Sequence, residues 1–165
     1  MNISLTLKRA LYLGGAGGLL LAGLAQAAST VTVKVTVLAP LPCTINGNKP
    51  IEVDFGDDVM TTRIDGTNYR TPVEYTVTCT KPKKNGMRLQ IAGNAAGFDG
   101  KLLQSSVTGL GIAFLNGGTR FSLNSWQNFT FPALPKLEAV PVKQANATLP
   151  TGEFTASATL RVDYQ

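Results

Sequence analysis

Two cysteines, Cys43 and Cys79, are the residues of this 165-residue chain whose type and number point most directly to a chemistry. In an exported chain an even count argues for a disulfide. The loop it would close holds 37 residues counting both ends, worth about 3–4 kcal/mol on the loop-entropy model. The alternatives are two free thiols or half a metal site. With no histidine anywhere, a zinc site lacks its ligands, and neutral-pH acid–base catalysis lacks its commonest group. Asp57 and Asp58 are adjacent carboxylates, but they follow Gly56 and read as a solvated turn. No Gly-x-Ser-x-Gly and no phosphate-loop pattern occurs. Lys81, Lys83 and Lys84 cluster around Pro82 and run into Asn85-Gly86, which reads as a hairpin tip rather than a nucleic-acid patch. Tyr69, Trp126 and Phe129 offer an aromatic surface for a sugar, although core or loop packing is the expected use. The sequons at Asn128 and Asn146 are read as coincidence rather than as glycosylation sites. The sequence therefore points away from an enzyme, from nucleic acid, from any cofactor and from any metal.

The elements that would carry these residues begin after a leader. Lys8 and Arg9 form a basic region, Leu11 to Leu24 an apolar one, and Ala25-Gln26-Ala27 a small-x-small cleavage site. Residues 1–27 read as a secretory signal; a membrane anchor is the competing reading, but the apolar run is short for a bilayer. Two of the fifteen basic residues would leave with the signal, so thirteen face ten acidic ones and the mature charge is +3.

Beyond the signal the pattern is alternation. Residues 30–37 read Thr-Val-Thr-Val-Lys-Val-Thr-Val, stopped by Pro40 and Pro42. Ile51, Val53 and Phe55 alternate, then Val73, Tyr75 and Val77, then Met87, Leu89 and Ile91. Leu110 to Leu115 is a continuous apolar run ending at Asn116-Gly117-Gly118, and three prolines between 129 and 142 predict an irregular or edge strand. Phe154, Ala156, Ala158, Leu160, Val162 and Tyr164 close the chain in one alternating series. Seven or so short strands predict an all-β sandwich of immunoglobulin type.

Its two ends are unusual. Val31, Val33, Val35 and Val37 coat one face of a strand separated from the domain by Pro40-Leu41-Pro42. A free valine face with an unpaired edge is an association hazard unless it has an acceptor. The series at 154–164 runs to within one residue of the end of the sequence, with no further strand to lie beside it. If that strand is missing, an apolar groove stays open along residues 154–164. Two arrangements fit the pattern: the 30–37 strand folds back into its own sheet, or it leaves its domain and fills another's groove.

The residues that carry a family resemblance are now in view. Pro42-Cys43-Thr44-Ile45-Asn46, Val53-Asp54-Phe55-Gly56-Asp57, Thr76-Val77-Thr78-Cys79 and Leu110-Gly111-Ile112-Ala113-Phe114, with the alternating extension Ser29 to Leu38, resemble the subunits of chaperone–usher pili, in particular the minor, tip-fibrillum or adaptor type. The penultimate Tyr164, with Gly152 fourteen residues from the end, is the most specific match. One departure is Val35, where many of these subunits carry glycine; it implies a deeper acceptor pocket or a register shifted by two.

The resemblance implies an incomplete immunoglobulin-like sandwich (the pilin fold) lacking its last strand and completed by a donor strand. It divides the chain into a signal peptide at 1–27, a donor-strand extension at 28–42 and a pilin domain at 43–165. Val31, Val33, Val35 and Val37 would be the donor residues. Gly152, Phe154, Ala156, Ala158, Leu160, Val162, Tyr164 and Gln165 would form the groove and the chaperone-binding strand, with the terminal carboxylate held by basic chaperone residues. The implied partners are a periplasmic chaperone, an outer-membrane usher and neighbouring pilus subunits, and the implied route runs through the periplasm to a cell-surface fimbrium. The expected function is a structural link polymerising by donor-strand exchange and supporting adhesion. A terminating or anchoring subunit, or a small single-domain sugar-binding adhesin, are the alternatives.

Overall fold

The structure, a computed structural model, describes residues 43–165. The signal expected at 1–27 and the donor extension expected at 28–42, including Val31, Val33, Val35 and Val37, lie outside the described residues.

Among the described residues eleven strands follow one another: β1 Cys43–Ile45, β2 Thr71–Pro72, β3 Val77–Cys79, β4 Gly86–Gly93, β5 Ala95–Ala96, β6 Asp99–Gln104, β7 Leu110–Asn116, β8 Thr119–Phe121, β9 Trp126–Thr130, β10 Leu137–Lys143 and β11 Ala158–Tyr164. A three-stranded sheet has the order β11-β4-β9, and a larger one the order β2-β10-β7-β6-β5 with β8 also on β7. β1 and β3 form a separate antiparallel pair. Every pairing is antiparallel, which the short turns between successive strands allow.

The two larger sheets pack face to face. Leu89 and Ile91 of β4 meet Leu103 of β6, Ile112 and Phe114 of β7, and Leu137 and Ala139 of β10 in one buried cluster. The alternation in β4 explains its orientation: Met87, Leu89 and Ile91 are buried, whereas Arg88 and Gln90 face outward. The continuous run in β7 has a different cause. Ile112 and Phe114 face the other sheet, while Ala113 and Leu115 join Leu102 and Val140 in a second cluster on the far side, with Phe98 and Val142 packed over it. Both faces of β7 are covered, so no position can be polar. A Cβ on Gly111 would come within 3.2 Å of the Leu102 Cβ and 3.3 Å of the Ala96 Cβ, so glycine leaves room for Leu102 of β6 and Ala96 of β5 against β7.

Three local expectations need correction. Ile51, Val53 and Phe55 do not form a strand; they are half-buried in alternation with exposed neighbours, but among the described residues they have no ladder partner. The 73–77 alternation likewise becomes strand only at β3. The proline-rich stretch contains a regular strand, because β10 pairs with β7 along its whole length. Pro141 is tolerated because β2 covers the other side of β10 only at Glu138 and Ala139, leaving that side free at the proline.

Candidate functional site

The site is a groove beside the last strand. β11 pairs with β4 from Ala158↔Gly93 to Tyr164↔Met87. Among the described residues its other edge has no strand neighbour. Facing that edge is the extended segment that contains Ile51, Val53 and Phe55. Between them lies an apolar cavity of about 660 Å³. Ile91, Leu103, Ile112, Phe114, Leu137 and Ala139, all members of the inter-sheet core, line it. Among the described residues the core is therefore open along one side.

The alternation of 154–164 divides as expected only in part. Leu160 and Val162 are half-buried and Tyr164 is 8% exposed, all packed on the sandwich. Phe154 is half-buried, whereas Ala156 and Ala158 are exposed at the groove. Ala156 is bridged to Ser105 rather than to β4, so β11 begins only at Ala158. Just before it, Ser106 N–H donates to the Thr155 carbonyl at 2.8 Å and Thr155 N–H donates to Ser106 Oγ at 2.9 Å. Gly152 sits in the preceding turn with φ +124°, a conformation that glycine adopts without strain.

The far end of β11 is pinned. Lys83 N–H donates to the Tyr164 hydroxyl at 3.1 Å, which ties the basic turn to the strand. Gln165 N–H donates to the Gly86 carbonyl at 3.2 Å, and its side-chain amide donates to the Met87 carbonyl at 2.8 Å. On the outer face Arg88 pairs with Asp163 at 2.7 Å and lies 4.6 Å from the centre of the Trp126 ring. The Arg88 hydrogen bond holds the Asp163 carboxyl below its ordinary pKa.

Trp126 is 40% exposed, so the expectation that it packs in a core or loop is corrected. The signal was present: Trp126, Asn128 and Thr130 share one face of β9, and two of them are polar. Phe129 and Tyr69 are half-buried, as expected for packing residues. Cys43 and Cys79 form a disulfide that joins β1 to β3 at the Cys43↔Cys79 register position. The feature that sequence reasoning missed is the groove's opposite wall. Alternation in 51–55 was visible, but which edge it would face was not.

Comparison with known proteins agrees with this architecture. The family profile for fimbrial proteins matches residues 30–165. The chain is 42% identical over 138 residues to the uncharacterized fimbrial-like protein YfcR of Escherichia coli K12, covering 81% of this chain and 79% of that protein. It is 27% identical over 148 residues to the fimbrial adapter PapF of Escherichia coli, covering 81% and 86% respectively. The solved structure of PapF, a P pilus adaptor subunit, superposes with a TM-score of 0.58 at 24% identity, covering 77% of this chain and 98% of that one. That likeness establishes the pilin fold, an immunoglobulin-like sandwich with one strand position open. Fimbrial proteins build cell-surface pili by contacts between subunits. With the profile matching residues 30–165, the chain belongs to the fimbrial protein family and is a structural subunit of chaperone–usher pili, not an enzyme.

Proposed function

We propose that the open groove is an acceptor for a β-strand, first from a periplasmic chaperone and then from the N-terminal extension of the next subunit. The observation that carries this reading is the conjunction, among the described residues, of an unpaired β11 edge with a cavity of about 660 Å³ lined by core residues. An extended segment laid there would gain backbone hydrogen bonds from β11 and bury alternate side chains in the cavity, the general mode of strand addition. Four valines contribute about 6–8 kcal/mol as an upper estimate, which is comparable to the stability of a whole domain. Val31, Val33, Val35 and Val37 supply the complementary half in this chain, for a neighbour's groove. Export through the periplasm, guided by residues 1–27, and passage through an outer-membrane usher complete the route. The likeness to PapF favours an adaptor position in the pilus.

The test is to append a flexible linker and a copy of a donor strand after Gln165. The reading expects a soluble monomer that no longer needs a chaperone and unfolds at a much higher temperature than the unmodified mature protein. A mature protein that is already a stable monomer, without chaperone or added strand, would contradict it.

A further inference from the structure

The groove is divided by a pair of rings. Phe55, from one wall, and Phe154, from the other, lie with ring centroids 5.8 Å apart and planes tilted by 31°. Both are half-buried and pack against the inter-sheet core. Beyond them is a second cavity of about 690 Å³, whose apolar lining includes Val59, Ile64, Val107, Leu110 and Leu149. Val53, Phe55, Phe154 and Thr155 line both cavities, so the rings stand at the boundary.

The two sides of this contact are held differently. Phe154 precedes Thr155, which exchanges two hydrogen bonds with Ser106. Phe55 belongs to a segment with no ladder partner among the described residues. Displacing Phe55 thus breaks fewer backbone bonds than displacing Phe154.

Strand geometry makes the position of the pair consequential. With a rise of about 3.3 Å per residue, a donor matching the seven residues of β11 covers that strand without reaching Phe154. Phe154 lies four positions before Ala158. A donor of about eleven residues or more must pass the rings.

We propose that Phe55 and Phe154 form a clasp that sets the length of donor strand the groove accepts. The proposal rests on the reading of the groove as a strand acceptor. A short apolar strand seats with the rings in contact. A longer one displaces Phe55 and extends into the second cavity, replacing the ring contact with its own apolar side chains. The partner is an extended segment of a neighbouring subunit with apolar residues at alternate positions, long enough to run from the β11 edge past Phe154.

The experiment follows displacement of the chaperone from the chaperone-bound subunit by synthetic peptides. One peptide has eight residues alternating valine and threonine; two others add four residues at one end or the other, so that one of them runs toward the rings. Phe55→Ala is expected to speed exchange by the peptide that passes the rings by about ten-fold, the scale of one aromatic contact. Exchange by the eight-residue peptide should stay within about two-fold in the same variant. Phe55→Leu, which keeps an apolar side chain, should fall between and guards against a folding defect. Equal acceleration of all peptides, or none with the long ones, overturns the clasp while leaving the acceptor groove intact. If the eight-residue peptide exchanges with neither form, the acceptor reading fails and the clasp falls with it.

Discussion

Burial pushes the Tyr75 hydroxyl up to about 12, and that hydroxyl donates to the Pro135 carbonyl at 2.8 Å. The unfolded chain would ionise this group near pH 10. Between pH 10 and 12 the folded state therefore holds a proton that the unfolded state has lost, and stability falls as pH rises. We expect the wild-type protein to lose more stability over that window than Tyr75→Phe, measured by denaturant titration at successive pH values. Asp65 shows the opposite sign. The Asn68 and Thr67 backbone N–H groups and the Thr67 hydroxyl, each at 2.8 Å, lower its carboxyl to about 2. Its contribution is present above the ordinary carboxylate range and is lost as pH falls toward 2. A carboxyl-resolved NMR titration should find Asp65 still ionised at pH 3. The inward position of Tyr75 was legible from alternation, whereas its partner, sixty residues away, depends on how the chain folds back. The Asp163–Arg88–Trp126 contacts were illegible for the same reason: they exist only once β11, β4 and β9 are in register.

Among the elements, β11 bears the functional argument, and its alternation was the clearest in the sequence. Even so, residues 154–157 do not pair with β4. The change of partner comes from the Ser105–Thr155 region, which no periodicity encodes. Small side chains at Ala156 and Ala158 leave room at the groove. Ala158→Leu should partly fill it and weaken both chaperone capture and strand acceptance, read as a lower yield of chaperone complex and slower peptide exchange. Tyr164→Ala removes a buried ring and the acceptor for Lys83 N–H. By analogy with other large-to-small core changes it should cost about 3–5 kcal/mol and lower periplasmic levels of the subunit. In the extension, Val33→Asp would place an unpaired charge in a partner's apolar groove. The chaperone complex of that variant should still form, whereas its insertion into a preceding subunit should fail. Loss of the chaperone complex itself would show instead that residues 30–37 belong to the subunit's own core.

At the scale of the molecule, the sandwich was legible because half-buried antiparallel strands impose a two-residue period. The number of strands was not, since β2, β5 and β8 hold only two or three residues and have no period to show. The disulfide was legible from its two cysteines, and its place in the fold has a mechanical meaning. Cys43 follows directly on the proposed donor extension at 28–42, and its covalent partner Cys79 lies 36 positions later. In a polymer joined through that extension, tension enters the domain at Cys43. The S–S bond passes it straight to β3, so the covalent path bypasses the intervening chain, which includes Ile51, Val53 and Phe55. Reduction would reroute the load through those residues and release up to about 3.3–3.6 Å of length for each of them, a step that single-molecule pulling of linked subunits should register only after the bond is cleaved.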